Sequence, residues 1–474
     1  MTVTRIAACD WIIAWDAAAG RHRYLRHTDL VFQGDTILHV GPGYDGEVTT
    51  NIDGRGLMAM PGLVDLHTHP SLEPAFKGLR EEHGLREHYM SGLYERCATL
   101  IPDPACQRAA ATLAYGEMLR SGVTSVADLT FPYDGWREVA EASGLRVWMA
   151  AGFASARWYM DTPHQLKFAW DEPRGWREFE AAKAFLQDLP RGGRLSGIVY
   201  PMQIDTCAED LLRAAKAWAD EQGLPIATHI SQSVMEFNEM VNRHGMTPVQ
   251  WAARIGLLGP TTHLGHAIFI DEHSWLHWHS RRDLDLLAET GSVVAHCPNV
   301  FSRYGQCLED FGRYRRAGVR IGLGTDTTPH NMIEEMRCAA ILARVTAQDL
   351  FTTSTAEVLE AATVGGAEAL GRPDLGRLAP GARADLVLVD LGCTAMRPVR
   401  DPLRSLVYAA AERAVRDVYV GGQKVVADGR VLTLDMDAAA AEVEEGQARM
   451  MAAVPGRDWA GRDIDTLCPL SLPI

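Results

Sequence analysis

Two histidines separated by one residue, His67 and His69, end the apolar stretch "GLVDLHTHP". Side chains two residues apart on an extended strand point to the same face, so both imidazoles can reach one metal ion. The same spacing occurs in "HWH" at residues 277–279, but there the neighbouring residues are charged and typical of a solvated segment. The first pair therefore predicts a metal site only if further ligands come from other strands.

Three more polar side chains stand where apolar stretches end: His229 in "ATHIS", His266 in "THLGHAIF" and Asp326 in "GLGTD". Imidazole nitrogens with one carboxylate oxygen suit Zn²⁺, Fe²⁺, Co²⁺ or Mn²⁺, and such a shell with a position open to water is typical of a catalytic site. His83 and His88 are predicted to be surface residues, unless the loop that follows strand one folds over the pocket. His263 and His296 are predicted to be hydrogen-bonded strand residues.

Apolar stretches alternate with amphipathic helical segments from residue 61 onward, which is the pattern of β/α units around a parallel sheet. Eight such units predict the α/β class and a TIM-type (β/α)₈ barrel, in which the active site forms at the carboxyl ends of the strands. The candidate metal ligands all stand at such ends. The predicted strands are "MPGLVDLH", "TSVADL", "LRVWMAAG", "LSGIVYPM", "PIATHI", "TTHLGHAIF", "SVVAHC" and "VRIGLGTD".

Both ends of the chain contain strand-like stretches joined by Gly and Asp turns, such as "TRIAACDWIIAWD" and "VRDVYVGGQKVVADGRVL". Because the termini of a domain commonly lie close together, these stretches are predicted to form one small β-sandwich. The predicted boundaries are residues 1–60 and 380–474 for the two parts of the β-sandwich and 61–379 for the barrel, with a helix over "DAAAAEVEEGQARMM".

Composition limits the classes of partner. The chain has 474 residues, 47% of them hydrophobic, and a net charge of −15, which disfavours nucleic acid and anionic membranes as partners. Its nine cysteines include no Cys-x-x-Cys pair, and Asp10 interrupts the first apolar stretch, so neither a disulfide framework nor a signal peptide is indicated. We expect a cytoplasmic homo-oligomer that binds a small molecule.

The succession of "PGLVDLHTHP", "THIS", "LGHAIF" and "GLGTD", followed by "GRLAPGARADLVLVD", resembles the amidohydrolase superfamily over nearly the whole chain. Within it, the sequence is similar to the s-triazine hydrolases, the chlorohydrolases and the guanine and S-adenosylhomocysteine deaminases, and also to the phenylurea and molinate hydrolases. The resemblance implies that His67, His69, His229 and Asp326 bind a divalent metal, with zinc expected first and Fe, Co or Mn as alternatives. It also implies that His266 contacts the metal-bound water or the reacting oxygen of the substrate.

Two departures from the family pattern narrow the chemistry. Members with two metals carry a carboxylated lysine at the end of strand four, whereas "SGIVYPMQID" has no lysine, so one metal ion is expected. Ring deaminases of this branch have a proton-shuttling glutamate three residues after the strand-five histidine, where this chain has Gln232. Since an amide does not titrate in the useful range, a deaminase of the usual type would need another acid, Glu73 or Glu236.

The predicted reaction is hydrolysis of a non-peptide C–N bond by a metal-bound hydroxide. Asp326 would accept the proton of the water, and the metal with His266 would stabilise the oxyanion. An amide, urea or carbamate is the expected substrate, because Asp326 or His266 can return the proton to a departing amine. An aryl or heteroaryl group on it is expected because aromatic residues such as Trp158 follow the predicted strands.

Two alternatives stay open. One is hydrolytic deamination or dechlorination of a nitrogen heterocycle of the s-triazine, purine or pyrimidine type. The other is a barrel that binds a metal or a small molecule without turnover. For all three hypotheses, the candidate substrate contacts at the mouth of the barrel are Glu73, Trp158, Gln203, Gln232, His330 and Asn331.

Overall fold

The computed structural model describes residues 2–190 and 192–474. The N-terminal strands are Val3–Asp16 (β1), Arg21–Gln33 (β2), Thr36–Gly41 (β3), Thr50–Asp53 (β4) and Leu57–Pro61 (β5). The middle of the chain contains Leu63–Thr68 (β6), Val123–Thr130 (β7), Arg146–Phe153 (β8), Ala156–Tyr159 (β9), Lys167–Trp170 (β10), Leu195–Pro201 (β11), Ile226–Ile230 (β12), Thr262–His266 (β13), Val293–His296 (β14) and Arg320–Leu323 (β15). The C-terminal strands are Leu386–Asp390 (β16), Val415–Val420 (β17), Gln423–Ala427 (β18) and Arg430–Val431 (β19).

Eight of these strands form a parallel sheet in the order β6-β7-β8-β11-β12-β13-β14-β15. They coincide with the eight predicted strands, which confirms the (β/α)₈ barrel. Strands β7 and β8 are buried along their whole length, as expected where helices cover the outer face of a parallel sheet. Strands β9 and β10 form a separate antiparallel hairpin that follows β8.

Helices alternate with the barrel strands and set the spacing between them. In α5, Leu211, Leu212 and Ala215 are buried, and Gly223 ends the helix in the left-handed conformation at φ 65°. The helices of the described residues are Gly92–Thr99 (α1), Pro104–Arg120 (α2), Trp136–Ser143 (α3), Glu172–Asp188 (α4), Glu209–Gln222 (α5), Val234–His244 (α6), Pro248–Arg254 (α7), Asp283–Thr290 (α8), Pro298–Ser302 (α9), Phe311–Arg316 (α10), Met332–Ala347 (α11), Thr355–Glu360 (α12), Gly366–Ala369 (α13), Pro402–Ser405 (α14), Met436–Arg457 (α15) and Ile464–Leu467 (α16).

The barrel closes at the end that carries the candidate ligands. The backbone N–H of Asp326, just after β15, donates to the carbonyl of His67 over 2.8 Å, and the N–H of His69 donates to the carbonyl of Asp326 over 3.1 Å. These bonds join the first and last strands of the barrel. Residues separated by more than half of the chain therefore become neighbours at this point.

Strands from both ends of the chain form one nine-stranded mixed sheet, in the order β19-β18-β17-β16-β5-β1-β2-β3, with β4 paired to β1. Strand β5 connects the two parts, because it pairs parallel with β1 and antiparallel with β16. Ile6, Ile12, Leu386 and Leu388 lie in the apolar core of this sheet. Strands from both termini therefore form one additional sheet, as predicted, and the predicted domain boundaries stay a prediction.

The predicted C-terminal helix is present as α15, and it packs on the barrel helix α2. Val443 and Met450 of α15 share an apolar cluster with Cys106 and Ala109 of α2. All nine cysteines are free thiols. Within the described residues, no helix combines the length and the apolar character needed to cross a bilayer.

Candidate active site

Four side chains converge at the carboxyl end of the barrel. One ligand atom from each of His67, His69, His229 and Asp326 lies within 4.8 Å of the others. Nε2 of His69 lies 3.3 Å from Nε2 of His229 and 3.3 Å from Oδ1 of Asp326, and Nε2 of His67 lies 3.5 Å from the same oxygen. The residues that the sequence placed at three different strand ends are thus brought together around one point.

Backbone carbonyls fix the orientation of two of these imidazoles. Nδ1 of His69 lies 2.7 Å from the carbonyl of Leu129, and Nδ1 of His229 lies 2.8 Å from the carbonyl of Met202. A carbonyl oxygen only accepts hydrogen bonds, so each Nδ1 carries the hydrogen and each Nε2 has its lone pair free. Imidazoles that bind metals in proteins are commonly held in this way.

The charges and burial of the cluster fit a divalent cation. Burial lowers the pKa of His69 to about 4 and brings the pKa of His229 well below its usual value, so both are neutral. Burial opposes ionisation of Asp326, but His266 and His67 hold the pKa of its carboxyl well below the usual range. Nε2 of His67 is buried and has no hydrogen-bond partner among the described residues, as expected for a metal-binding nitrogen.

Two glycines leave the space that His67 occupies. A Cβ atom on Gly265 would lie 2.5 Å from Cε1 of His67, and one on Gly324 would lie 2.8 Å from Cβ of His67. Asp326 itself has φ 58°, a conformation that residues other than glycine rarely adopt and that is concentrated at functional sites. The glycines of "LGH" and "GLGTD" are thus part of the site, which sequence reasoning did not recognise.

Asp65 is a further residue that sequence reasoning missed. Its carboxylate accepts the backbone N–H of His67 at 3.2 Å, and the N–H and hydroxyl of Thr325 at 3.0 and 2.6 Å. Burial raises the pKa of Asp65 to about 7, although the Thr325 hydrogen bonds oppose this. Asp65 therefore joins the first and eighth strands directly behind the cluster. Its signal in the sequence is an acid inside the apolar stretch "GLVDLH".

Comparison with known proteins agrees with this geometry. Residues 58–425 match the model of the amidohydrolase family. The chain belongs to the amidohydrolase family. It is 30% identical to a 5-methylthioadenosine/S-adenosylhomocysteine deaminase of Natronomonas pharaonis, over 91% of this chain and 96% of that protein.

Two solved structures have the same fold as this amidohydrolase. One is an adenosine deaminase from Xanthomonas campestris with bound zinc, with a TM-score of 0.81, 24% identity and coverage of 95% of this chain and 98% of that one. The other is an atrazine chlorohydrolase from Arthrobacter aurescens in complex with zinc, with a TM-score of 0.80, 24% identity and coverage of 94% and 100%. The family assignment makes the chain a hydrolase that acts on C–N bonds other than peptide bonds.

His266 of the amidohydrolase stands beside the four-residue cluster. Its Nε2 lies 3.7 Å from Oδ2 of Asp326, and its ring packs against Phe301 with a centroid distance of 4.5 Å. Burial lowers the pKa of His266 well below its usual value, so the ring is a neutral imidazole. A neutral imidazole beside the acid can donate one hydrogen bond to a reacting group.

The end of strand four contains no lysine. Strand β11 ends in Tyr200 and Pro201, and the hydroxyl of Tyr200 lies 3.4 Å from Nδ1 of His229. The next polar side chain, Gln203, forms a parallel bridge with His229 through its backbone. This end of the barrel therefore lacks the lysine that would carry a bridging ligand between two metals.

Gln232 and Gln203 form a side-chain pair at the ends of strands five and four, in which Nε2 of Gln232 donates to Oε1 of Gln203 over 2.7 Å. Glu236 was the alternative acid in this region. Its carboxylate accepts the backbone N–H groups of Ser231 at 2.5 Å and of Gln232 at 3.1 Å. The two oxygens of Glu236 thus stabilise the turn after β12.

Glu73 lies in the connection that follows β6, and its backbone N–H donates to the carbonyl of His69 over 3.2 Å. Its Oε1 accepts a hydrogen bond from Arg80 at 2.5 Å, whereas Oε2 is buried and has no partner among the described residues. Burial raises the pKa of Glu73 to about 7. The negative charge of Asp326 also raises this pKa, whereas the positive charge of Arg80 lowers it. Glu73 therefore keeps one carboxyl oxygen free.

Trp158 lies on the β9–β10 hairpin. Its indole N–H donates to Oδ2 of Asp205 over 3.1 Å, and its ring packs edge-on against Tyr94 with a centroid distance of 4.7 Å. The hydroxyl of Tyr94 lies 2.5 Å from Oγ of Ser233. Trp158 thus connects the hairpin to the residues that follow strands four and five, and its polar group is already paired.

Asn331 has a different role from the predicted substrate contact. It is the N-cap of α11, where its Oδ1 accepts the backbone N–H groups of Ile333 and Glu334 at 3.2 and 3.3 Å. Its Nδ2 donates to Glu412 over 2.6 Å. Both ends of the amide are therefore used within the protein, and the prediction of substrate binding by Asn331 is not supported.

His330 was predicted at the mouth of the barrel. In the structure its side chain is fully buried and does not line that mouth. Its Nδ1 lies 3.2 Å from the hydroxyls of Thr68 and of Thr325. These threonines belong to the first and eighth strand ends. His330 therefore supports the strands that carry the candidate metal ligands, from behind the cluster.

The structure tests the positions predicted for several other histidines. His88 is buried with its Nε2 3.6 Å from Oε1 of Glu95, so the prediction of a surface residue was wrong. Nη1 of Arg462, in the distant C-terminal segment, lies 3.4 Å from Nε2 of His88, and the local sequence pattern does not show this contact. His263 is hydrogen-bonded to the carbonyl of Ala369 at 2.9 Å, as predicted. The two histidines of residues 277–279 are exposed, as predicted.

Proposed function

We propose that this amidohydrolase binds one divalent ion, zinc in the first place, and hydrolyses the C–N bond of a small amide, urea or carbamate with an aryl or heteroaryl group. The observation that carries the proposal is the strand-five position, where an acid would be needed to protonate a ring nitrogen. It holds Gln232, whose amide is bonded to Gln203. An amide can hold a substrate but cannot transfer a proton.

His67, His69, His229 and Asp326 would hold the divalent ion, which would supply Lewis acidity and would lower the pKa of a water molecule. Asp326, which stays ionised, accepts the proton of the attacking water. His266, with Nε2 3.7 Å from Oδ2 of Asp326, donates a hydrogen bond to the substrate oxygen that becomes negative. Asp326 then returns the proton to the departing nitrogen, so that a neutral amine leaves.

A second candidate is hydrolytic deamination or dechlorination of a nitrogen heterocycle of the s-triazine, purine or pyrimidine type. It is favoured by the names of the relatives, two of which are deaminases and one a chlorohydrolase. This reaction needs an acid that reaches the ring. Glu73, with one buried oxygen free of hydrogen bonds, is the candidate for that role.

Product analysis on metal-loaded protein separates the two candidates. Release of an amine together with a carboxylate or carbon dioxide supports C–N cleavage of an amide, urea or carbamate. Release of ammonia or chloride from heterocycles supports the second candidate. A metal-loaded protein that converts no amide, urea, carbamate or heterocycle would support a binding function without turnover. Metal analysis tests the single ion: we expect about one equivalent per chain, and a reproducible value near two contradicts it.

A further inference from the structure

The connection between β6 and α2, residues 69–103, carries side chains that lie near the ligands and the strand-five turn. Glu73 and Arg80 form a buried ion pair at 2.5 Å. The hydroxyl of Tyr94 lies 2.5 Å from Oγ of Ser233. The geometry of one side of the proposed substrate pocket therefore depends on how this connection is held.

Regular structure within the connection is short, since α1 has only 8 residues. Arg96 on α1 donates to the carbonyl of Arg80 over 2.8 Å, and its guanidinium lies over the ring of Tyr304 at 4.6 Å. A displacement of α1 would therefore move Arg80 through its hydrogen bond with Arg96, and would move Glu73 through its ion pair with Arg80. The position of α1 bears directly on that ion pair.

Residues 458–468 hold α1 from the outside. Nε1 of Trp459 donates to Oε2 of Glu95 over 3.3 Å, and the guanidinium of Arg462 lies 3.8 Å from the same oxygen. Arg462 is itself fixed by Asp458 at 2.7 Å. Because Glu95 is only 3% exposed, loss of this cation would leave a buried carboxylate with little compensation.

A second attachment lies further along the same segment. The backbone N–H of Gly84 donates to the carbonyl of Leu467 over 3.0 Å. The side chain of Leu467 is buried in an apolar cluster with Phe76 and Leu79. Residues 458–468 therefore contact the β6–α2 connection at Glu95, at His88, where Nη1 of Arg462 lies 3.4 Å from Nε2, and beside Gly84.

We propose that residues 458–468 form a strap that fixes the β6–α2 connection, and that Arg462 and Glu95 are positioning residues for the substrate pocket. They act through α1 and the Glu73–Arg80 pair. His69, the first residue of the connection, is held by the barrel instead, because its backbone N–H donates to the carbonyl of Asp326 and its Nδ1 lies 2.7 Å from the carbonyl of Leu129. The inference goes beyond the proposed function, because it concerns how the pocket is held whichever C–N bond is cleaved. Loss of the strap weakens substrate binding and leaves the metal centre intact.

Arg462→Ala tests the proposal in the full-length, metal-loaded protein. Hydrogen–deuterium exchange reports on residues 80–99 without any substrate, and we expect exchange there to rise about tenfold. Metal content stays at the wild-type value. For a substrate found by product analysis, we expect KM to rise about tenfold while kcat changes less than about threefold. Arg137→Ala is the matched control, because Arg137 pairs with Glu141 and Asp188 at 3.2 Å, outside both the strap and the β6–α2 connection.

Arg462→Lys keeps the positive charge, and we expect it to recover part of the protection of residues 80–99. If Arg462→Ala does not fold, Trp459→Phe removes one hydrogen bond to Glu95 and carries the same expectation. Unchanged exchange in residues 80–99, or an equal rise in Arg137→Ala, overturns the strap. If no substrate is turned over, the proposed function fails, whereas the exchange measurement still decides the strap.

Discussion

The side-chain amide of Gln232 donates to Oε1 of Gln203 over 2.7 Å, and the bond joins the ends of strands five and four. It leaves the oxygen of Gln232 and the nitrogen of Gln203 as one acceptor and one donor beside each other. If the oxygen and nitrogen of both side-chain amides were exchanged by a flip, the pair would still offer one donor and one acceptor. This pair can bind a group that itself carries a donor and an acceptor, such as an amide or a urea.

Gln232→Ala should therefore impair substrate binding. The substitution leaves Oε1 of the buried Gln203 without its donor, which costs about 1–3 kcal/mol, and we expect kcat/KM to fall about tenfold or more. Steady-state kinetics on the substrate found by product analysis checks this. Full activity of Gln232→Ala would remove the residue from the site.

Gln232→Glu distinguishes the two candidate functions. If the enzyme cleaves an amide, urea or carbamate, the new carboxylate lacks the N–H donor of Gln232, so the pair loses one hydrogen-bond donor and we expect activity to fall. If the enzyme deaminates a heterocycle, the new acid can protonate the ring, and we expect ammonia release to rise. Parallel assays of amine and ammonia release give the answer.

His229→Ala and Asp326→Asn should each abolish turnover. Each change removes a candidate ligand, and Asp326→Asn also removes the proposed proton acceptor, so we expect kcat to fall about a thousandfold or more. Circular dichroism should show a retained fold, because both side chains stand at strand ends rather than in the packed interior. Substantial activity in Asp326→Asn would contradict its assigned role.

Gly265→Ala should weaken metal binding although no candidate ligand is substituted. The new Cβ would lie 2.5 Å from Cε1 of His67, so the imidazole must move out of the cluster. We expect metal affinity to fall about tenfold to a hundredfold, as for other changes that misplace a ligand. Gly259→Ala is the control, because its nearest neighbour atom would lie at 3.9 Å. Competition with a chelator measures both variants.

His263→Gln should make the protein less sensitive to acid. Burial lowers the pKa of His263 from 6.5 to about 4, so the unfolded chain binds a proton in this range that the folded protein does not. The stability that comes from the neutral ring is present above pH 6.5 and is lost as the pH falls towards 4.

We expect the free energy of unfolding of the wild type to fall more steeply between these pH values, by about 1.4 kcal/mol per pH unit, than that of His263→Gln. Urea titrations at several pH values measure both slopes. His277→Gln, at an exposed position, should keep the wild-type slope. Equal slopes for the wild type and His263→Gln would contradict the expected protonation.

The sequence by itself determined the barrel and the convergence of the four candidate ligand residues. Strand-forming apolar stretches are local features, and a parallel barrel brings the carboxyl ends of all its strands to one side. His67, His69, His229 and Asp326 could therefore be placed together without knowledge of any contact. Gln232 could be recognised as a departure because its position is counted along the chain from His229.

Only the tertiary structure decided which neighbours these residues have. Asn331 was expected at the substrate, yet it caps a helix, and His88 was expected at the surface, yet Glu95 and the C-terminal segment bury it. Gln232 is paired with Gln203 across two strands. Hydrogen bonds, burial and pKa shifts depend on which distant segments pack together, and the polar character of a side chain in the sequence does not specify its partner.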